Sequence, residues 1–430
     1  MQTSSRQRIA IVGTGIAGLV AAHRLHLAHD ITIFEADNRV GGHANTVVVN
    51  EPDQTLHIDT GFIVYNQPSY PHFSALMAQL GVRTQPSEMS FSFSSAISGL
   101  EYRGTNINTL LARRSNVLRP SFARMLADIP RFNRAARLLL HSEDISTPLH
   151  QFLAEGRYSR SFIDNYLVPL GASIWSANPQ RFADFPVAPM ARFLDQHGLL
   201  SLRQQPQWRT ISGGSHAYVR ALTAPFADRI RINCGGRGID RDDEGVVIHS
   251  AGGPERERFD RVILATHSNT ALSLLRQPTT MEVSVLGALR YQQNRATLHT
   301  DARLLPRRPR AWASWNYRQA RADQRVPVLT YYANRLQDLT SASDYCITLN
   351  ADEAIDPARV IASFDYWHPV FDSAALQAQR LRHQVDGRLN THYAGAYWGY
   401  GFHEDGVQSA IAATEPLLAN LPTRALVPSR

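Results

Sequence analysis

The stretch IAIVGTGIAG at residues 9–18 decides how this chain folds. An apolar, β-branched run leads into a GxGxxG turn, and residues 16–26 continue with apolar residues at helical spacing. A second β-rich run at residues 31–34 ends in an acid, Glu35, about 20 residues past the glycines. This order of strand, turn, helix, strand and acid predicts a βαβ unit that binds a dinucleotide, with the acid on a ribose hydroxyl.

Each glycine of the turn has a predicted role. Gly13 allows the tight turn, Gly15 lets a pyrophosphate approach the backbone, and Gly18 lets the helix pack against the strand. The helix begins at Ile16 and Ala17, where free N–H groups and the positive end of the helix dipole favour phosphate.

The residues after Glu35 favour FAD over NAD. They read ADNRVGGH at 36–43. An arginine followed by two glycines at this point resembles the FAD-binding signature of glutathione-reductase-like and amine-oxidase-like flavoproteins. In those proteins the segment runs under the adenosine and pyrophosphate half of FAD, and an ordinary turn is the alternative reading. The resemblance implies these FAD contacts: Ala36, Arg39, Gly41, Gly42 and His43.

The C-terminal part of the chain completes the same pattern. Residues 391–395 resemble a short strand, a glycine-rich loop follows, and residues 407–418 have helical spacing. In the resembled flavoproteins this helix returns to the first domain and its N-terminus faces the flavin, which implies contacts at Gly395, Gly406 and Val407. The family usually has an acid after the strand, but this chain has Ala396. The candidates for that acid's contacts with the ribitol and pyrophosphate are Glu404 and Asp405.

Two inner segments also resemble cofactor-binding elements. A buried, strand-like run ends at Ala265 and Thr266, where backbone is expected to meet the cofactor. Residues 59–62 carry Thr60 and Gly61 and resemble the acid-containing segment before the flavin ring, with an ordinary turn as the alternative.

The predicted fold class is α/β, with a Rossmann-type FAD-binding domain and an inserted α+β substrate domain. The cofactor domain is expected to be discontinuous and the substrate domain to occupy the two intervening segments, one helical and one rich in strands. The predicted bounds are 1–75, 205–280 and 385–430 for the FAD-binding domain, and 76–204 and 281–384 for the substrate domain.

Composition limits the cellular setting. The chain has 430 residues, with 43% hydrophobic and 19% charged residues, which is typical of a globular protein. No apolar stretch is long enough to span a membrane, and residues 1–6 lack a signal-peptide core. We therefore expect a cytoplasmic protein, either free or peripheral to the inner face of a membrane.

The chain contains no lysine, so every one of its basic residues apart from histidine is an arginine. Schiff-base chemistry and the flavin-proximal lysine of many amine oxidases are therefore excluded. A net charge of +7 favours acidic partners, and without a recognisable nucleic-acid module we expect lipid head groups rather than nucleic acid, with a charge that serves only solubility as the alternative. An arginine-rich stretch with interleaved apolar residues suits an anionic membrane face, and a solvated helix face is the alternative. Its arginines are Arg113, Arg114, Arg119, Arg124, Arg131, Arg134 and Arg137, and Arg303, Arg307, Arg308 and Arg310 are a possible extension.

Together these segments resemble the flavin-containing amine oxidoreductase superfamily. Within it they are most similar to bacterial predicted NAD/FAD-binding proteins associated with cyclopropane-fatty-acyl-phospholipid synthases. The supporting motifs include residues 42–46, 208–214, 265–268, 299–301, 311–317, 368–371 and 395–409. The resemblance implies an FAD oxidoreductase that acts on an aliphatic lipid, the fatty acyl chain of a membrane phospholipid, by desaturation or a related oxidation alongside a lipid methyltransferase. A flavin oxidase of a soluble amine or amino acid, and a non-catalytic flavoprotein scaffold, remain alternatives.

One residue is a candidate catalytic group. His299 lies in the strand region where related amine oxidases place their lysine, and a histidine there could relay a proton near neutral pH. A strand histidine satisfied by hydrogen bonds is the alternative. Trp398 and Tyr400 are candidates for an apolar slot that holds an acyl chain. No metal site is expected, because no complementary ligand cluster is present in the sequence.

Overall fold

The computed structural model of the protein describes residues 6–201, 205–321 and 326–419. The prediction that residues 1–6 lack a signal-peptide core falls almost entirely on residues outside the described ranges. The strands, in chain order, are β1 (Arg8–Val12), β2 (Asp30–Phe34), β3 (Thr46–Asn50), β4 (Thr55–Asp59), β5 (Val64–Asn66), β6 (Thr84–Ser87), β7 (Phe91–Ser95), β8 (Glu101–Arg103), β9 (Trp208–Ile211), β10 (Ile230–Arg231), β11 (Gly236–Asp242), β12 (Gly245–Ser250), β13 (Arg256–Phe259), β14 (Arg261–Leu264), β15 (Tyr291–His299), β16 (Trp315–Gln319), β17 (Leu329–Tyr332), β18 (Cys346–Leu349), β19 (Val360–Pro369) and β20 (Thr391–Tyr393). The helices are α1 (Ile16–Leu25), α2 (Pro71–Gln79), α3 (Ile107–Leu110), α4 (Pro120–Arg137), α5 (Leu149–Glu155), α6 (Arg160–Phe162), α7 (Val168–Trp175), α8 (Pro179–Phe182), α9 (Val187–Gln196), α10 (His216–Thr223), α11 (Ser268–Leu274), α12 (Thr280–Ala288), α13 (Ala333–Leu336), α14 (Ser373–Arg380) and α15 (His403–Leu418).

A parallel sheet forms the centre of the cofactor-binding half. Within the described residues it has five strands in the order β10-β2-β1-β14-β20. Alternate side chains of β1 face opposite layers: Ile9 and Ile11 pack under α1 and α15, while Ala10 and Val12 face β12 and α11. Both faces are thus covered, which explains why these strands read as continuous apolar runs. The α/β, Rossmann-like fold predicted from the sequence is confirmed.

A second sheet carries the other half of the molecule. Its order in the described part of the chain is β19-β15-β18-β17-β16-β7-β8, mostly antiparallel, with a parallel contact between β16 and β7. Helices from α4 to α9 pack on it around a large apolar core that includes Phe93, Met125 and Phe193. Each of the three segments predicted for the cofactor domain supplies strands to the parallel sheet, while the exact bounds of the two domains stay a prediction.

Two local predictions need correction. A proline inside a helical stretch predicts a break at Pro130, yet α4 continues through it from Pro120 to Arg137. Pro130 is exposed, so the carbonyl that loses its helical partner can be satisfied by water. The last helix begins at His403 rather than at Val407, because the Asp405 carboxylate accepts the Phe402 N–H at 2.8 Å and closes an earlier first turn. Among the described residues, none of the helices has the length and apolar character needed to cross a membrane.

Candidate FAD site

The glycine turn between β1 and α1 packs against the end of β14. Gly13 has a φ of +105°, and a side chain there would meet the Ala265 carbonyl oxygen at 2.8 Å. A side chain on Gly18 would overlap the Gly13 carbonyl oxygen. Ala265 and Thr266, both predicted to meet the cofactor, form the wall behind the turn. Gly13 and Gly18 are therefore required by the packing of the turn itself.

Gly15 is required for a different reason. Its φ is −65°, which any residue adopts, and no atom lies within 4 Å of the place that its Cβ would occupy. Gly15 precedes α1, whose first turn has no acidic residue and no side-chain cap. The N–H groups of Ile16 and Ala17 are therefore left for an anion. The space beside Gly15, which a Cβ would fill, suits the pyrophosphate of a dinucleotide.

Glu35 lies at the mouth of this turn, immediately after β2. Its carboxylate accepts the backbone N–H of Thr14 at 3.0 Å and that of Asp37 at 2.9 Å, and the Thr14 hydroxyl also donates to it. Ala36, just past Glu35, lies against the segment between β10 and β11, where a Cβ on Gly235 would be 3.1 Å from the Cβ of Ala36. This position agrees with the predicted ribose contact.

The two glycines after Arg39 lie directly on the turn. Gly41 and Gly42 have φ values of +122° and +57°, and a Cβ on Gly42 would lie 2.9 Å from the Gly15 Cα. The Gly41 N–H donates to the Thr14 carbonyl at 3.1 Å. Arg39 folds back onto the backbone of its own loop. The structure thus brings both predicted phosphate-binding segments to one place.

A second helix N-terminus reaches the same place from the C-terminal segment. A Cβ on Gly406 would lie 2.7 Å from Ile16 Cγ2, and Val407 is buried beside it. The Gly395 N–H donates to Ser409 Oγ at 2.8 Å and ties β20 to α15. The first turns of α1 and α15 therefore converge, so the positive ends of two helix dipoles point into one region.

The two candidate acids on α15 do not face this region. Glu404 accepts the backbone N–H of His72 at 3.1 Å and of Phe73 at 3.0 Å, and so caps α2. Asp405 is held by the Phe402 N–H, and burial raises the pKa of its carboxyl to about 7. Both carboxylates are used to fix the protein's own loops, which corrects the expectation that one of them replaces the missing acid at Ala396.

A cluster of three histidines lies beside the diglycine loop. The ring of His43 is 6.0 Å from that of His267 and 5.5 Å from that of His368, between ring centroids. Burial lowers the pKa of His267 to about 4 and that of His368 to about 4, and it lowers the pKa of His43 well below its usual range. Asn294 Nδ2 lies 2.9 Å from His368 Nδ1. At neutral pH these imidazoles are uncharged.

Tyr366 fastens the histidine cluster to the cofactor loops. Its hydroxyl lies 2.8 Å from Thr60 Oγ1 and accepts a hydrogen bond from Asn45 Nδ2 at 3.0 Å. Its ring lies 4.9 Å from that of His43. Gly61 is needed here because a side chain would overlap the His43 carbonyl oxygen. The segment predicted from residues 59–62 therefore does lie beside the predicted FAD loop.

His299 is not brought to this cluster. It lies five residues beyond Asn294 on β15, roughly 16 Å along the strand. It is fully buried, its Nε2 lies 2.7 Å from Thr348 Oγ1, and its Nδ1 accepts the Asp301 N–H at 3.0 Å. Both ring nitrogens are thus satisfied by protein, and burial lowers the pKa to about 4. We therefore do not retain His299 as a proton relay.

Aromatic side chains around His197 connect α9 to the residues just before α15. The ring of Phe402 stacks on Phe193 at 4.9 Å and lies 5.7 Å from His197, and Tyr400 meets Phe193 at 5.6 Å. Trp398 instead packs on Tyr397 in the core under the parallel sheet, which separates it from Tyr400 in the predicted slot. Trp398 and Tyr400 share only a surface pocket of about 320 Å³.

The sequence identified the dinucleotide half of the site better than the reactive half. His267, His368, Tyr366, Asn294 and Phe402 were not among the predicted site residues. The sequence signal that could have found two of them is a histidine near the end of a strand: His267 follows β14, and His368 lies at the end of β19. No group of three or more histidine, cysteine or acidic residues in the described ranges has the arrangement of a metal site.

Comparison with known proteins places this geometry in a family. The sequence matches the description "Flavin containing amine oxidoreductase" over residues 16–297, which is more than half of the chain. A putative flavin-containing monoamine oxidase, AofH of Mycobacterium tuberculosis, is 27% identical over 261 residues, covering 58% of this chain and 55% of the relative. The chain thus spans about half the length of this curated relative.

Solved structures share the fold along nearly the whole chain. A CLA-producing fatty acid isomerase from P. acnes has a TM-score of 0.69 at 19% identity, with 95% of this chain and 98% of that chain covered. Cyclohexylamine oxidase from Brevibacterium oxydans has a TM-score of 0.67 at 17% identity, with 96% and 100% covered. The family match and the donor set around Gly15 agree on FAD as the cofactor. The chain belongs to the flavin-containing amine oxidoreductases, a family of FAD-dependent oxidoreductases.

Proposed function

We propose that the protein is an FAD-dependent oxidoreductase of an aliphatic lipid, which removes hydrogen from the acyl chain of a membrane phospholipid. The observation that carries the proposal is the surroundings of the histidine cluster, whose rings contact one another and Tyr366 rather than an acid. In the part of the chain that the structure describes, no carboxylate is close enough to raise the pKa of His43, His267 or His368. A protonated amine would find no counter-charge among them, whereas an uncharged acyl chain needs none.

The aromatic lining supports the same substrate. The half-buried rings of Phe402 and Tyr400 pack against buried Phe193, and apolar surface of this kind binds methylene groups by removing them from water. One solved structure with this fold is described as a fatty acid isomerase, which is compatible with a fatty acyl substrate. The resemblance to proteins associated with cyclopropane-fatty-acyl-phospholipid synthases supports a lipid methyltransferase as the functional partner.

The chain's own residues supply binding, exclusion of water and proton handling. Loss of two hydrogen atoms from the acyl chain releases two electrons and two protons, which FAD, when bound, would accept. Its pyrophosphate would be held by the N–H groups beside Gly15 and its ribose by Glu35. His368 is uncharged and hydrogen-bonded through Nδ1 to Asn294, which fixes its ring and leaves Nε2 as the position that could hold a proton.

The alternative is a flavin oxidase of a soluble amine. It is favoured by the names of relatives, which include the putative monoamine oxidase and cyclohexylamine oxidase. The absence of lysine and the absence of a carboxylate partner in the histidine cluster count against it. A non-catalytic scaffold would bind FAD without turnover.

Product analysis separates these three functions. The FAD-loaded protein is incubated with a phospholipid of defined saturated and mono-unsaturated chains, and in parallel with a panel of primary amines and amino acids. We expect acyl chains that have lost two hydrogen atoms, detected by mass spectrometry, and no amine oxidation. Amine oxidation alone would replace the proposal by the alternative, and flavin that no compound reduces would indicate a scaffold.

A further inference from the structure

One surface combines exposed apolar side chains with unpaired arginines. The four apolar residues come from the turn after β7, from α3 and from the 3₁₀ turn Arg114–Leu118 that precedes α4. Their exposed fractions are 56% for Ile97, 76% for Ile107, 66% for Val117 and 81% for Leu118. Large apolar side chains clustered at such exposure indicate a contact surface rather than ordinary solvent-facing positions.

The charge of this surface is predominantly basic, with Glu88 paired to Arg103 beside it. Residues 102–127 contain five arginines and no acid. Arg307 and Arg310 join them from the neighbouring 3₁₀ turn Pro309–Ala311 and the residues before it. In the described residues, no carboxylate lies within ion-pair distance of Arg114, Arg119, Arg307 or Arg310. These four guanidinium groups are therefore available to an external anion.

A buried acid holds the pieces of the surface together. Glu101 is 6% exposed, and its carboxylate accepts the Arg307 N–H at 2.8 Å and Arg308 Nη1 at 2.6 Å. Its carbonyl accepts Asn116 Nδ2 at 2.9 Å. The turn with Ile97 is tied in by Arg113, which donates to the Gly99 carbonyl. These hydrogen bonds connect the segments that carry the apolar and basic groups.

The rest of the arginine-rich stretch does not belong to this surface. Arg131 donates to buried Asp128 at 2.7 Å and lies 4.1 Å from the centre of the Tyr158 ring. Arg137 donates to the Leu200 carbonyl at 2.7 Å. Phe122 and Phe132, two of the apolar residues interleaved with these arginines, are buried in the core. The helix α4 therefore turns its apolar side inward.

We propose that the surface formed by Ile97, Ile107, Val117, Leu118 and the arginines at 114, 119, 307 and 310 docks on an anionic lipid bilayer. Exposed apolar side chains insert at the head-group boundary while the surrounding arginines bind lipid phosphates. Charge complementarity decides the occupant, because Arg114, Arg119, Arg307 and Arg310 are cationic and the neighbouring exposed acid, Glu88, is already paired with Arg103 and Arg335. The proposal does not depend on the substrate proposed above, since docking and flavin reduction are measured separately.

Liposome flotation of the FAD-loaded chain tests the docking surface. Vesicles of neutral phosphatidylcholine are compared with vesicles containing phosphatidylglycerol, each at low and high salt. The apolar variant is Val117→Ser with Leu118→Ser, and the basic variant is Arg114→Gln with Arg310→Gln. Leu138→Ser and Arg134→Gln are matched controls, because Leu138 is 80% exposed and Arg134 is exposed on α4, outside the surface.

We expect binding only to anionic vesicles at low salt, since the attraction fades within about a Debye length. The basic variant should bind about fivefold more weakly per arginine, the equivalent of about 1 kcal/mol each. The apolar variant should bind about tenfold more weakly, and the controls should match the wild-type chain. Binding to neutral vesicles, no binding to either kind, or equal losses in the controls would each overturn the proposal. Unchanged FAD content in every variant shows that the fold is intact.

Discussion

Acid should destabilise the protein through the half-buried histidines of the cluster, and His368→Gln isolates that effect. The pKa of His368 is about 4 in the folded protein, against an ordinary value of 6.5. Because the folded pKa is lowered, the stability is fully present above pH 6.5 and is lost as the pH falls toward 4. At pH 5, about 1.5 units below the ordinary pKa, His368 is protonated in the unfolded chain but not in the folded one. This difference lowers the free energy of unfolding by roughly 2 kcal/mol at about 1.36 kcal/mol per unit.

The pH dependence of wild-type stability alone cannot give the contribution of His368, because two buried acids change the stability in the opposite direction. Burial raises the pKa of Asp59 to about 6 and that of Asp405 to about 7. Their raised pKa values mean that the folded state gains stability as the pH falls through this same range. The difference between wild type and His368→Gln removes these contributions, since both chains contain the same acids.

The measurement is urea unfolding of the flavin-free chain at several pH values between 7.5 and 5. His368→Gln should lose stability at pH 7.5, where it disturbs the contact with Asn294, and should then close the gap by about 2 kcal/mol at pH 5. His141→Gln, at an exposed position, is the control and should run parallel to the wild type. A constant gap between wild type and His368→Gln would refute the inference that this histidine is held uncharged.

Three further outcomes are expected at the cofactor site and on β15. Gly15→Val should leave the flavin-free fold intact and abolish FAD binding, because its side chain fills only the open space beside the turn. Gly18→Ala should instead lower the yield of folded protein, because its side chain clashes with the Gly13 carbonyl. FAD titration and circular dichroism distinguish the two variants, and equal behaviour of both would contradict these separate roles. Glu35→Ala should weaken FAD binding by about 1.5–3 kcal/mol through loss of a charge-assisted hydrogen bond, measured by fluorescence titration, and an unchanged affinity would remove the ribose contact. His299→Ala should lower thermal stability but leave the rate of flavin reduction in the folded fraction unchanged, and a slower reduction would restore the original prediction of a proton relay.

The dinucleotide half of the site could be predicted because its determinants are close in sequence. The turn at Gly13, the start of α1 and the acid Glu35 lie within one βαβ unit, whose geometry is fixed by local strand and helix preferences. The return of the C-terminal segment could be predicted only through the family resemblance, since nothing local links Gly406 to Ile16.

The reactive half depends on contacts that sequence spacing does not encode. His43, His267 and His368 come from three distant segments, and only the docking of the two sheets brings them together. The error at His299 has a related cause: its place on a strand indicates which face it occupies, but not how far along the sheet it lies. The acids on α15 were misassigned because helix capping competes with cofactor binding for the same kind of carboxylate.

The central claim, an FAD enzyme that oxidises a neutral acyl chain, is tested most directly by anaerobic mixing of the FAD-loaded protein with candidate substrates. The loss of the visible flavin absorbance is followed with time for a long-chain phospholipid and, separately, for putrescine, cyclohexylamine and an amino acid. The neutral histidine cluster predicts bleaching by the phospholipid and none by the amines. Bleaching by an amine, with the phospholipid inert, would contradict the account.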